Sequence, residues 1–110
     1  MEFLRFFKRP PEFLKESLTR DERDILAGLN HAGNASYAEI FSALLDARTR
    51  RGEKIILPLD TVKIIDGLRE RGLVERLEHP KFNHTDFWQP TERGELVLRD
   101  SFRAMQVSRR

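Results

Sequence analysis

The stretch DTVKIIDGLRERGLVERLE, Asp60–Glu78, decides the fold. Val62, Ile65 and Leu68, with Ile64 beside them, recur at the spacing of one helical face. Asp60 stands where a helix N-cap is expected, and Gly72 supplies the stop, because glycine enters the left-handed conformation at little cost. The spacing therefore predicts a helix over 60–71. LVERLE follows at once and reads as a short strand, and DFWQPT, 86–91, reads as its partner across the turn-rich HPKFNHT.

Outward from this unit the punctuation is regular. Upstream, Thr19 and Glu22 form a capping box, in which each side chain satisfies the other's backbone N–H. Ile25, Leu26, Leu29 and Ala32 then make a helical stripe that stops at Gly33. Ser36 and Glu39 repeat the box. Tyr37, Ile40, Phe41, Leu44 and Leu45 fill the second helix, and its last turn is loaded with arginine up to Gly52. Downstream, Thr91 is a good N-cap for a final helix carrying Leu96, Val97, Leu98, Phe102 and Met105. The order helix, helix, helix, hairpin, helix is a winged helix-turn-helix. It is a mainly α fold with a three-helix core, a two-stranded wing and a C-terminal helix. The expected organisation is an apolar extension over 1–18, the winged domain over 19–91, a helix over 92–107 suited to dimerisation, and a frayed tail over 108–110.

Bulk properties narrow the class. A chain of 110 residues suits one domain, and 39% hydrophobic against 35% charged residues implies a thin core with solvated helices around it. The absence of cysteine excludes disulfides and thiolate zinc sites. No apolar run approaches the roughly 20 residues that span a bilayer, so a cytoplasmic protein is expected. The net charge of +2 is mild, and the pI near 9.3 tilts the expected partner towards nucleic acid.

Three segments carry a family resemblance: SYAEIFSALL, DTVKIIDGLRERGLVER and FWQPTERGELVL. In order and spacing they resemble PadR-like winged helix-turn-helix transcriptional regulators and, more distantly, MarR-like ones. The likeness covers about three quarters of the chain, Leu18 to Asp100, including the long gap between Ile40 and Val62. It implies sequence-specific binding of double-stranded DNA, usually by a homodimeric repressor whose third helix enters the major groove. PadR-like proteins normally add a longer C-terminal dimerisation region, where this chain has about one helix. Phe3, Phe6 and Phe7, with Leu98, Phe102 and Met105, are the residues expected to pair in its place.

Charge tests the implication. Over 60–71 the cations Lys63, Arg69 and Arg71 are balanced by Asp60, Asp66 and Glu70. Phosphate neutralisation supplies much of the affinity for DNA, so a neutral reading helix needs cationic flanks. Arg48, Arg50, Arg51 and Lys54, ahead of that helix, are the expected source. On the helix, Thr61 and Lys63 are candidates to meet base edges, Ile64 a thymine methyl, and Arg69 a phosphate. Core packing is the stronger reading of Ile64, and a solvated helix end is the plain alternative for the arginines. Tyr37 has two readings, a phosphate hydrogen bond at the positive end of its helix or a half-buried aromatic. Lys81 and His84 are the wing's candidate contacts.

Other chemistry finds little support. His79, His84 and Asp86 lie in a turn without a rigid third ligand, so neither metal nor cofactor is expected. No phosphate-binding glycine loop or activated nucleophile suggests an enzyme. The competing function is a winged-helix adaptor or anti-factor that binds another protein, such as a regulator or RNA polymerase, through the apolar N-terminus or Trp88. A membrane anchor at the N-terminus is the least favoured reading.

Overall fold

The computed structural model describes residues 17–77 and 86–108, with side chains of the last helix described as far as Ala104. The elements are α1 (Arg20–Ala32), β1 (Ala35–Ser36), α2 (Tyr37–Arg50), α3 (Pro58–Glu70), β2 (Val74–Leu77), β3 (Phe87–Pro90) and α4 (Glu92–Ser108). This is a winged helix. Phe3, Phe6, Phe7, Lys81, His84 and the side chain of Met105 lie outside the described residues.

Local sequence explains the helix ends. Both capping boxes form: the Thr19 hydroxyl accepts from the Glu22 N–H at 3.1 Å, and Glu22 Oε1 accepts from the Thr19 N–H at 2.8 Å. Ser36 and Glu39 repeat the pair at 3.3 and 3.0 Å. Gly33, Gly52 and Gly72 all adopt positive φ, as the three predicted stops require. α3 departs from expectation. It begins at Pro58, whose fixed φ and missing N–H suit the first helical position. Asp60 is therefore the third helical residue and not the N-cap, and its carboxylate reaches back to accept from the Leu57 N–H at 3.2 Å.

α2 and α3 finish with the same backbone device. In α3 the Leu73 N–H reaches the Leu68 carbonyl at 2.9 Å and the Gly72 N–H reaches Arg69 at 2.9 Å. In α2 the Glu53 N–H reaches Arg48 at 2.9 Å and the Gly52 N–H reaches Thr49 at 3.1 Å. Both patterns are Schellman motifs, which satisfy the last carbonyls of a helix. After α3 the next residue, Leu73, is wholly buried and feeds β2.

The sheet has three antiparallel strands in the order β1–β3–β2. Glu75 pairs with Gln89, Arg76 with Trp88 and Leu77 with Phe87, while Ala35 lies opposite Trp88 on the other edge. Only the hairpin is legible in the sequence, because a two-residue strand is too short to show alternation. Trp88 points into the core and Phe87 is only half-buried, which settles which of the two aromatics packs inward.

The core joins α1 (Ile25, Leu26, Leu29), α2 (Ile40, Leu44), α3 (Ile65, Leu68), the sheet (Leu73, Val74, Trp88) and α4 (Val97, Leu98). Each such side chain contributes on the order of 1.5–3 kcal/mol. Two boundary expectations change. Leu18, read as the end of an extension, is part of this core, and Leu98, read as a dimer contact, is spent inside it at 5% exposure. Phe102 remains 43% exposed on α4.

The corner between β2 and α4 explains the spacing Thr91-Glu92-Arg93-Gly94. The Thr91 hydroxyl donates to the Gly72 carbonyl at 2.6 Å and accepts from the Gly94 N–H at 3.0 Å. The Thr91 N–H donates to the Leu73 carbonyl at 3.0 Å. Helix and strand approach so closely that a Cβ on Gly94 would sit 2.0 Å from the Leu73 oxygen. Only glycine fits there.

Candidate nucleic-acid interface

α3 buries Thr61, Ile65 and Leu68 and turns Lys63, Asp66, Arg69 and Glu70 outward. The exposed set follows from the core stripe, since residues three or four apart share a face. Two sequence candidates on this helix are therefore corrected. Thr61 is 0% exposed, and its hydroxyl has no partner among the described residues, so it cannot meet a base edge. Ile64 is half-buried and packs against the core, which is the stronger of its two sequence readings. Lys63 is exposed with no ion pair among the described residues.

At the sheet end of this face, Tyr37, Asp66, Arg69 and Trp88 come together. The Tyr37 and Trp88 rings meet edge-on with centroids 5.4 Å apart at 63°. The Arg69 guanidinium lies 5.8 Å from the Trp88 ring centroid, within cation–π range. Burial raises the Tyr37 hydroxyl above its ordinary pKa, and the Asp66 and Asp86 charges together with a hydrogen bond to Asp66 add to the shift. The Arg69 charge opposes that rise. Tyr37 is half-buried and packs against the core through Trp88, so the half-buried reading is the one the geometry supports.

The basic segment ahead of α3 is the largest correction. The Arg48 guanidinium spans both oxygens of Asp21 at 2.9 and 2.7 Å, donates to the Lys54 carbonyl at 2.7 Å, and is only 19% exposed. Arg51 binds Asp24 at 2.8 Å and Glu53 at 2.6 Å, and that contact to Glu53 is the main reason its pKa is raised. Arg50 pairs with Asp46 at 3.1 Å and lines a groove between α1 and α2. These arginines answer the acidic first turn of α1 and their own neighbours. Of the four expected phosphate contacts only Lys54 is exposed without an ion pair among the described residues.

Arg71, counted with the reading helix, is likewise structural. It donates to Glu22 Oε2 at 2.9 Å and to the Ser17 carbonyl at 3.1 Å, tying the end of α3 to the start of α1. Arg76 pairs with Asp86 at 2.8 Å, and Gln89 donates to Glu75 at 2.7 Å.

One feature of the site was missed in sequence. Ile55, Leu57 and Leu59 are 76%, 61% and 63% exposed around the start of α3, while Ile56 between them is buried at 6%. Reading the helix from Asp60 left Leu59 in the loop. Pro58 was the signal that places it in the first turn.

Among the described residues no group of three His, Cys, Asp or Glu is arranged to hold a metal, and no helix is long and apolar enough to cross a membrane.

Comparison with known proteins places this geometry. No protein-family profile and no curated protein matches the chain. Solved structures do. A MarR family transcription regulator superposes on 88% of the chain with a TM-score of 0.65 at 25% identity. The transcriptional repressor CouR, solved on a 23-mer DNA duplex, superposes on 82% with a TM-score of 0.67 at 23% identity. ZitR of Lactococcus lactis, solved in complex with DNA, superposes on 83% with a TM-score of 0.61 at 20% identity. The chain spans 57%, 56% and 55% of those three chains, respectively.

Proposed function

We propose that this chain is a winged-helix transcriptional regulator that binds double-stranded DNA as a homodimeric repressor, with α3 in the major groove. The observation that carries this is the outward face of α3. Lys63, Asp66 and Arg69 stand clear of the core on the helix that such folds present to base edges. The DNA-bound neighbours support the reading. A MarR-like placement has the support of those structures, and a PadR-like one rests on the three quoted sequence segments. Phe102 on α4 is the described residue best placed to join a second copy. Nothing in the site calls for catalysis or a cofactor, and a soluble, cytoplasmic regulator is the corresponding setting.

The electrostatic part of the reading changes with the structure. Among the described residues on α3 and in the segment ahead of it, Lys54, Lys63 and Arg69 are cations available to phosphates, while Arg48, Arg51 and Arg71 hold helices together. Fluorescence anisotropy on labelled genomic fragments across a salt series tests this. Affinity is expected to fall steeply with salt. Lys54→Ala with Lys63→Ala is expected to flatten the slope by about 0.9 for each phosphate no longer neutralised, and by twice that for a two-fold dimer. Absence of duplex binding at low salt, or binding indifferent to salt, overturns the function.

A further inference from the structure

Isolated apolar side chains on a protein surface are ordinary, but a contiguous exposed patch usually marks an interaction site. Ile55, Leu57 and Leu59 fall within five residues and all exceed 60% exposure. The segment has not simply failed to fold inward. Ile56 is buried at 6%, and Pro58 fixes the first turn of α3.

The capping of this helix is also unusual. The N-cap is a position where Ser, Thr, Asp or Asn stabilises the helix by accepting from an otherwise unpaired N–H. α3 carries Leu57 there, with no side-chain cap, and satisfies the Leu57 N–H from Asp60 instead. The only carboxylate of the first turn is thereby folded back along the backbone. What projects from the start of α3 is apolar, bracketed in sequence by Lys54 and Lys63, both exposed and without ion pairs among the described residues.

An exposed apolar run flanked in sequence by two cations without ion pairs among the described residues suits one surface in particular. The major groove presents the C5-methyl of thymine as its apolar feature, with phosphates along both edges. The N-terminal residues of a recognition helix are those that reach base edges. We infer that Leu59, supported by Leu57, reads thymine methyl groups, so that the preferred duplex carries thymine beneath the start of α3. This rests on the DNA-binding function above and adds to it the base that this apolar ridge selects. It also gives a neutral helix a route to specificity that does not depend on its balanced charges.

The test isolates the methyl. Duplexes enriched from a random pool by the wild-type protein are copied with dTTP or with dUTP, which differ only in that group. Wild-type affinity is expected to fall about fourfold for each contacted methyl removed, from a transfer value of about 0.8 kcal/mol per buried carbon. Leu59→Ala is expected to bind both copies alike, near the wild-type level for the uracil copy, with an unchanged salt slope. The substitution is at an exposed helical site where alanine is favourable, so the fold is retained. Equal wild-type affinity for the two copies overturns the methyl contact and leaves DNA binding intact. A retained thymine preference in Leu59→Ala also overturns it. So does a lower association state of that variant in sedimentation with its base preference unchanged, which assigns the ridge to a second copy. Failure of the wild-type protein to bind any duplex removes the proposed function along with it.

Discussion

Two corners of this molecule are built alike and end differently. After α2 and after α3 the chain leaves the helix through the same Schellman motif, with a glycine at positive φ. The residue that follows decides the rest. Leu73 is wholly buried, carries the chain into β2 and is clamped by Thr91 and Gly94. Glu53 remains near solvent, held by Arg20 at 3.1 Å and Arg51 at 2.6 Å, and the chain runs on into the exposed ridge before α3. Backbone capping sets where a helix stops. Whether the next element is locked or left available depends on the side chain after the stop.

The sharpest way to break this contrast is at the locked corner. Gly94→Ala forces a Cβ into the Leu73 carbonyl, and backbone cannot move aside as a side-chain tip can. A loss of roughly 3 kcal/mol or more is expected, since overpacking against backbone is at the severe end of such changes. Urea unfolding measures it, and a loss under about 1 kcal/mol contradicts the close approach.

At the other corner, Arg48→Ala removes the paired contact to Asp21 and the bond to the Lys54 carbonyl. Charged hydrogen bonds in a half-buried setting suggest a loss of about 2 kcal/mol. Arg50→Ala breaks only an exposed contact to Asp46 and is expected to change stability by less than about 0.5 kcal/mol. Comparable effects from the two variants undo the division between structural and peripheral arginines.

Thr61→Val sharpens the picture of α3 itself. Its buried hydroxyl has no partner among the described residues. An isosteric apolar replacement is expected to leave stability unchanged or raise it by up to about 1 kcal/mol. DNA affinity stays constant if Thr61 faces the core, and a marked drop in affinity restores it as a base contact.

Acidification separates the corners by the smallest margin. Hydrogen bonding from Arg51 lowers the Glu53 pKa below that of an ordinary glutamate. Its stabilising effect is present above the unfolded pKa and fades as pH falls through the lowered folded value. Amide shifts around Glu53 are expected to move in that range while those around Leu73 stay still.

Much of the fold was legible because it is written in local chemistry. The boxes Thr19–Glu22 and Ser36–Glu39, the glycine stops and the stripe Ile65–Leu68 each depend on neighbours within a few residues. The site was less legible. Arginines before α3 look cationic in a string of letters, yet Asp21 and Asp24 lie 27 positions away from Arg48 and Arg51 along the chain. Glu22 and Arg71 are 49 apart. Such pairings have no periodicity to betray them.

The sequence by itself thus determined where the helices end, where α1 and α2 begin, and the order of elements that makes a winged helix, because capping and amphipathic spacing act over a turn or two. Tertiary structure decided which cations are free, which hydroxyls are buried and which leucines face solvent. Those outcomes depend on helices brought together from distant parts of the chain, where α1's carboxylates claim the arginines and the core claims Thr61. What is left outward on α3 is a mixed face of Lys63, Asp66, Arg69 and Glu70, with exposed leucine at its start.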